Sequence, residues 1–173
     1  DVRILKHLLN AQPVLEKFQI ALTKKNVKKL EEEIAKSFKS LLRKKALFEY
    51  CEIDSENMTL SLYGAEKKLI NSNRLSAGER QILAVSILWA ISKSVEHPLP
   101  IIIDTPLARL DSEHRGSLIF DYFPKASDQV ILLSTDQEIT SEHSKELENL
   151  TSHQFMVEAN EKQGTSNFRN GYF

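Results

Sequence analysis

The chain has 173 residues, 41% of them hydrophobic, and is long enough for one domain with a core of its own. Its only cysteine, Cys51, excludes an internal disulfide and favours a reducing, cytoplasmic setting. The sequence has neither an apolar run long enough for a transmembrane helix nor a secretory signal at its start, so no membrane partner is expected. It begins with Asp rather than Met, and we expect a fragment of a longer protein.

The net charge of −1 conceals an uneven distribution. Residues 1–45 carry 12 Lys and Arg against 5 Asp and Glu, whereas residues 46–173 carry 11 against 19. A basic segment next to an acidic body is compatible with binding along DNA. It is equally typical of a solvated helical arm, and the lack of an aromatic or Arg-rich pattern favours that second interpretation.

The first predicted element is a long amphipathic helix whose first turn suits Pro13. Its apolar residues follow one another mainly in steps of three and four, which form one narrow stripe. They are Leu15, Phe18, Leu22, Val27, Leu30, Ile34, Phe38, Leu41 and Leu42. Lys25 interrupts this stripe, which is typical of a coiled-coil arm. The partner helix would come from outside this chain.

Two short strands at 47–53 and 58–63, joined by turn-forming residues, come next. A polar loop at 64–74 leads to a helix at 77–95 that is apolar nearly all round and is expected to be buried. His97-Pro98 is predicted to end it.

Strands alternate with helices in the last third of the chain. Apolar runs at 100–104 and 129–133 predict strands of a parallel sheet buried on both faces. Helices are predicted at 111–123, ended by Pro124, and at 137–150. A strand at 153–158 precedes a polar tail, expected to be mobile, in which Phe168, Tyr172 and Phe173 are candidates for docking. This alternation predicts an α/β layer with a parallel sheet.

The stretch Leu75–Gln81 opens the helix at 77–95 and permits two interpretations. Ser76 and Glu79 fit a capping box, which is a purely structural role. Alternatively, the helix start offers free N–H groups and a positive dipole end to an anion. Gly78 favours the second interpretation, because glycine in the first turn costs helix stability but permits close approach to the backbone.

Polar residues follow both predicted parallel strands. Asp104 ends the first, and Ser134-Thr135-Asp136 follow the second. Ligands of parallel α/β sheets bind at this edge, where a carboxylate can reach Mg²⁺ on phosphates. Asp111 fits the N-cap of the next helix, as its whole role or as part of it. None of the five glycines precedes Lys, so the Gly-rich phosphate loop that ends in Lys-Ser/Thr is absent.

Taken in chain order, the helix start at 75–81, the strand that ends in Asp104, Asp111 and the polar residues 134–136 resemble the C-terminal lobe of an ABC-type P-loop ATPase head. The resemblance is to the SMC-like branch, which carries a coiled coil between two lobes. The resemblance implies an α/β fold with a parallel sheet core, preceded by the coiled-coil helix. Residues 1–45 would be the end of the arm and residues 46–173 the head lobe, with signature motif, Walker B strand, D-loop and switch region. The missing phosphate loop would lie in an N-terminal Walker A lobe.

A closer resemblance, to the DndD family of SMC-like ATPases, rests on four stretches, at residues 104–115, 122–127, 132–139 and 171–173. That family belongs to the bacterial Dnd system of DNA phosphorothioation, also described as DNA sulfur modification. The resemblance implies DNA and the sulfur-transfer Dnd complex proteins as partners.

The resemblance also implies roles for single residues. ATP and Mg²⁺ would be bound between two heads in a homodimer. Ser76, Ala77, Gly78, Glu79 and Gln81 would bind the γ-phosphate presented by the opposite head. Asp104 would hold Mg²⁺, and Asp111 would couple the two sites.

Two positions depart from the family pattern. Thr105 stands where the catalytic Glu is expected, and Thr135 stands where the switch His is expected. A hydroxyl can orient water or phosphate but does not accept a proton near neutral pH as those groups do. Slow ATP hydrolysis is therefore expected, unless another carboxylate, with Glu138 and Asp136 nearest in sequence, replaces the missing base.

Three functions remain open at this point. The chain is part of an ATPase in DNA modification, an ATP-gated DNA-binding scaffold with little hydrolysis, or an SMC-like ATPase of DNA repair or chromosome organisation. A purely structural helical protein is disfavoured by the polar groups at the strand ends.

Overall fold

A computed structural model of the chain describes residues 2–95, 99–108 and 110–172, and the side chains at all of these positions except 2–10 and 72. The chain divides into two compact units, Asp1–Pro98 and Leu99–Phe173. Among the described residues, no helix is long and apolar enough to cross a membrane.

The first unit is built on two packed helices and a small antiparallel sheet. Helix α1 spans Val2–Leu41 and helix α2 spans Ala77–Ser94. Strands β1 (Tyr50–Ile53), β2 (Leu60–Tyr63) and β3 (Leu69–Ile70) pair in the order β1-β2-β3. Short 3₁₀ turns lie at Lys45–Leu47, Ala65–Lys67 and Ser72–Arg74. The two predicted strands are confirmed, but β1 starts three residues and β2 two residues later than predicted, and Leu47 lies in a 3₁₀ turn. The predicted loop at 64–74 contains β3.

The apolar stripe of α1 is buried only in its last two turns. Ile34, Phe38 and Leu41 are at most 1% exposed, where α1 packs against α2 and β1. Phe38 meets Phe48 edge to face, with ring centroids 4.9 Å apart. Earlier in the stripe, Phe18 remains 63% exposed. Among the described side chains, the first half of the stripe is therefore exposed, and its packing against a second helix stays a prediction.

Pro13 lies inside α1 rather than in its first turn, so that prediction is wrong. Proline removes one backbone hydrogen bond and crowds the preceding turn. The helix continues because residues on both sides propagate it at little further cost once it is nucleated.

Helix α2 is buried on one side only. Ile82 and Ala90 are fully buried, whereas Leu88 and Ile91 are 52% and 45% exposed. The expectation of burial all round is therefore wrong for this chain, because within the described part of the first unit α2 has α1 as its main helical neighbour. The predicted stop at His97-Pro98 lies outside the described residues.

The second unit contains a parallel pair of strands and an antiparallel hairpin. Strands β4 (Ile101–Asp104) and β5 (Val130–Leu133) are parallel, which confirms the predicted parallel layer. Burial alternates along both strands, and Ile102 is 63% exposed. The prediction that both faces are buried is thus wrong: within the described part of the chain, Ile101 and Ile103 on one face are half-buried and Ile102 on the other is exposed.

The helix predicted at 111–123 consists of three consecutive segments and runs past its predicted end. Helix α3 spans Ser112–Ser117, a π-helical segment follows at Leu118–Tyr122, and helix α4 spans Phe123–Ala126. Pro124 does not end the helix as predicted. The wider π turn, in which Phe123 N–H donates to Leu118 O, removes the crowding that proline causes in a regular α-helix.

Helix α5 spans Ser141–Leu147, and a 3₁₀ turn follows at Glu148–Leu150. It starts four residues later than predicted because Thr140, not a residue near Gln137, caps it, accepting from His143 N–H. The tail folds back as a hairpin of β6 (Phe155–Asn160) and β7 (Thr165–Asn170), so the predicted mobile tail is wrong. Gly164, at φ +60°, lies in the turn between the two strands. Tyr172 docks as expected, whereas Phe168 is 77% exposed and Phe173 lies outside the described residues.

Candidate functional site

The start of α2 forms a complete capping box, as the first interpretation of the motif predicts. Ser76 is the N-cap, and its Oγ accepts a hydrogen bond from Glu79 N at 3.1 Å. In return the Glu79 carboxylate accepts from Ser76 N at 2.8 Å. Glu79 is 8% exposed, so its carboxylate has a structural role at this turn.

The box leaves other donors at the helix start unused. Ala77 and Gly78 are the first two helical residues, and their N–H groups have no acceptor within the helix. Ser76 and Ala77 are exposed and Gly78 is half-buried, while the half-buried Gln81 lies further along the first turns. The Ser76 hydroxyl accepts in the box and retains its own hydrogen for a second bond. Neutral donors at a positive helix end can bind an anion.

The carboxyl ends of β4 and β5 lie side by side in the second unit. Asp104 is opposite Leu133 in the parallel register, and Thr105 N donates to Leu133 O at 2.8 Å. Asp104, Thr105 and Thr135 are all exposed at this edge. The signature residues 76–81 belong to the first unit and these strand-end residues to the second.

At this edge Asp104 is the carboxylate that ends β4 and is available to a divalent cation. The described residues contain no group of three His, Cys, Asp or Glu side chains that could hold a metal ion. The exposed Asp104 fits Mg²⁺ nevertheless, since that ion keeps most of its waters and is held by one or two carboxylates together with substrate phosphates.

Thr105 has a strained backbone. Its φ is +49°, in the left-handed region that β-branched residues rarely enter. Such a conformation costs about 1–3 kcal/mol and persists only where surrounding contacts enforce it. Strain of this kind concentrates at functional sites, and here it occurs directly after the strand that ends in Asp104.

Asp111 is the N-cap of α3, which confirms the structural role predicted for it. Its Oδ1 accepts from His114 N at 2.9 Å and lies 3.0 Å from His114 Nδ1. His114 is 6% exposed. The Asp111 side chain is therefore fixed by one residue at two points, whatever further role it has.

Sequence reasoning treated Glu138 only as a replacement base and missed what it does in the fold. Its side chain is 7% exposed, and its two oxygens accept from Leu107 N at 3.2 Å and from Thr135 N at 3.4 Å. The spacing Thr135-x-x-Glu138 is that of half a capping box, and this signal predicts the bond to Thr135. The other candidate, Asp136, is exposed.

Comparison with solved structures identifies the fold. The "Smc head domain with a coiled coil and joint" from Pyrococcus yayanosii superposes with a TM-score of 0.68 at 15% identity. This chain is covered over 95% of its length but spans only 31% of that protein. A structure from work on "ATP-driven dimerization and DNA stimulated activation of SMC ATPases" gives 0.63 at 16% identity, over 88% of this chain and 89% of that one.

A third structure, an "SmcHead bound to the C-winged helix domain of ScpA", gives a TM-score of 0.61 at 14% identity. It is matched over 84% of this chain and 43% of its own length. No family model and no curated protein matches the sequence. The chain therefore has the α/β fold of SMC ATPase heads, as predicted.

Proposed function

We propose that this chain is the C-terminal head lobe of an SMC-like ATPase, with the end of its coiled-coil arm, and that it completes a composite ATP site when two heads dimerise. The observation that carries the proposal is the start of α2 on an SMC head fold, where Ser76, Ala77 and Gly78 present donors that the helix itself does not use. Residues 1–45 serve as the arm and residues 46–173 as the lobe.

In this proposal ATP is bound by residues of two different heads. The N–H groups of Ala77 and Gly78 and the hydroxyl of Ser76 donate to the γ-phosphate presented by the N-terminal Walker A lobe of the second head. Glu79 sets the geometry of this turn through its bond to Ser76 N, and Gln81 is a further nucleotide-binding residue. Nucleotide then favours the dimer because it gains these bonds only there.

Asp104 holds Mg²⁺, which neutralises phosphate charge when bound. Thr105 and Thr135 orient the attacking water and the γ-phosphate through their hydroxyls, and Asp111 couples the two sites across the dimer. Since neither threonine is a proton acceptor near neutral pH, hydrolysis is slow and is stimulated by DNA or by a partner. Burial and two backbone bonds make Glu138 a poor substitute base.

The four stretches that resemble the DndD family support a role in DNA phosphorothioation, together with the sulfur-transfer Dnd complex. The lysines of the arm add a modest, salt-sensitive contact with DNA, because no aromatic or Arg-rich pattern accompanies them. Four of them are exposed on α1, at positions 24, 25, 28 and 29. Reversing these four charges should weaken DNA binding and flatten its salt dependence. Reversal of four other exposed lysines, at 67, 68, 145 and 162, is the matched control, and equal effects of both sets would contradict a DNA-binding arm.

A second candidate is an ATP-gated DNA-binding scaffold, which Thr105 and Thr135 favour because neither supplies a base. A third candidate is an SMC-like ATPase of DNA repair or chromosome organisation, which would use the same ATP site for a different cellular task. Loss of phosphorothioate from genomic DNA in an Asp104→Ala strain would favour DNA modification over this third function.

The test is ATP turnover by the full-length protein, with and without DNA, beside the Asp104→Ala and Ser76→Arg variants. A composite site predicts that both variants lose turnover and that Ser76→Arg also loses ATP-dependent dimerisation. Dimerisation without turnover in the wild type would instead establish the scaffold. ATP turnover at the wild-type rate in both variants would refute the proposed site.

A further inference from the structure

Glu138 is a buried carboxylate that bridges two turns far apart in sequence. One turn follows β4 and contains Thr105, and the other follows β5 and contains Thr135. Its Oε1 accepts from Leu107 N and its Oε2 from Thr135 N. Burying a carboxylate is unfavourable unless its oxygens accept hydrogen bonds, and both do here.

Glu138 is itself firmly held. Its own N–H donates to Thr135 O at 3.1 Å, and the N–H of the next residue, Ile139, donates to the same oxygen. Ile139 is 7% exposed and Leu107 is fully buried, so both ends of the bridge are anchored in the core of the second unit. The carboxylate therefore fixes the distance between the two turns.

The bridge also acts on the strained residue. Thr105 N donates to Leu133 O, and Thr105 O accepts from Ala108 N at 3.4 Å. The bond from Leu107 N to Glu138 fixes the chain two residues after Thr105. A β-branched residue at positive φ relaxes to the β region unless such contacts hold it. Release of Leu107 would thus let Thr105 change its conformation.

We propose that Glu138 is a positioning residue, whose carboxylate holds the Thr105 turn and the Thr135 turn together so that both hydroxyls act on one γ-phosphate and its attacking water. This inference rests on the proposed ATPase function and names what organises the same site. Glu138 does not touch the substrate. It acts through Leu107 N–H and Thr135 N–H.

Glu138→Gln is the sharpest perturbation, because it keeps the shape but replaces one accepting oxygen with an NH₂ group that faces a backbone N–H. In the full-length protein, kcat for ATP should fall at least about tenfold, while KM and the ATP-dependent dimerisation constant change less than about threefold. Amide hydrogen exchange should accelerate in the segments 105–108 and 134–138. Glu148→Gln, an exposed glutamate of the same unit, is the matched control and should change none of these.

Each outcome bears on the inference. An unchanged kcat in folded Glu138→Gln would overturn it, and so would a lowered kcat without faster exchange at either turn, which would indicate a direct chemical role. If that variant does not fold, Glu138→Asp, which is too short to reach both amides, provides the same comparison. A wild-type protein without turnover, or turnover that survives in Asp104→Ala, would remove the proposed ATPase site itself. Loss of turnover in Asp104→Ala with normal Glu138→Gln kinetics would overturn only the bridge.

Discussion

Replacing Ser76 with Asp separates the two roles that the start of α2 combines. Aspartate is as good an N-cap as serine, so its carboxylate can accept from Glu79 N in place of the Ser76 hydroxyl. A negative charge at a helix N-terminus is also favourable, by about 0.3–1 kcal/mol. Repulsion between the new carboxylate and that of Glu79, which accepts from the backbone N of residue 76, offsets this gain. The stability of Ser76→Asp should therefore stay close to that of the wild type.

The same substitution should abolish the proposed ATP-dependent dimer. The carboxylate would stand where the Ser76 hydroxyl is proposed to meet the γ-phosphate. Two unit charges about 4 Å apart near a protein surface repel by about 4 kcal/mol. This corresponds to roughly a thousandfold weaker nucleotide-dependent association at each site.

Ser76→Ala serves as the matched variant, because it should lower stability while largely sparing ATP-dependent dimerisation. Loss of the cap costs about 1 kcal/mol, which lowers the melting temperature of a chain of this size by about 2–4 °C. The backbone donors of Ala77 and Gly78 remain, so dimerisation should weaken much less than in Ser76→Asp.

Thermal unfolding monitored by circular dichroism measures the first effect, and sedimentation with and without ATP measures the second. A Ser76→Asp protein that dimerises like the wild type would refute the placement of the γ-phosphate at this helix end. The capping box would then be the whole role of the motif.

Three further predictions concern packing, titration and the tail. Phe38→Ala should lower the free energy of unfolding by about 3–5 kcal/mol in urea denaturation, because the ring is fully buried. Phe18→Ala, on the same helix but 63% exposed, should change it by less than about 0.5 kcal/mol, and equal losses would contradict the packing. Burial raises the pKa of the Cys51 thiol to about 12. Alkylation of Cys51 in the native protein should therefore stay slow as pH rises to about 9 and become fast only in denaturant. Fast alkylation of the native protein would refute this prediction. Tyr172→Phe removes the 2.8 Å hydrogen bond with Ser134 and should accelerate exchange of the neighbouring Gly171 amide. An unchanged exchange rate would show that this bond does not hold the end of the tail.

Local patterns in the sequence predicted the elements and their caps. The spacing Ser76-x-x-Glu79 predicted a capping box, and Asp111 predicted an N-cap, because these bonds join residues only three positions apart. The apolar runs that became β4 and β5 predicted a parallel pair. The roles of Ser76 and Asp104 toward ATP and Mg²⁺ stay predictions.

Predictions of burial, of helix ends and of the tail failed where contacts beyond the local pattern decide the conformation. Burial of Leu88 and Ile102 depends on which surfaces cover α2 and β4, and periodicity carries no information about that. Pro124 was expected to end a helix, but a π turn before it relieves the clash. The tail was expected to be mobile because it is polar, yet it pairs along its backbone, which polar residues do as well as apolar ones.

Glu138 makes one bond that local sequence specifies and one that only the tertiary structure permits. Its bond to Thr135 spans three residues and is of the kind that local turn chemistry specifies, although it was not predicted. Its bond to Leu107 spans 31 residues and exists only because β4 and β5 lie side by side, which brings the turns after them within reach of one carboxylate. The positive φ of Thr105 likewise depends on the tertiary structure, since the local preference of a β-branched residue opposes it. The sequence by itself determined the main helices and the caps of α2 and α3, whose interactions are short in range. The tertiary structure decided how the two strand-end turns are held together, because that depends on contacts between distant parts of the chain.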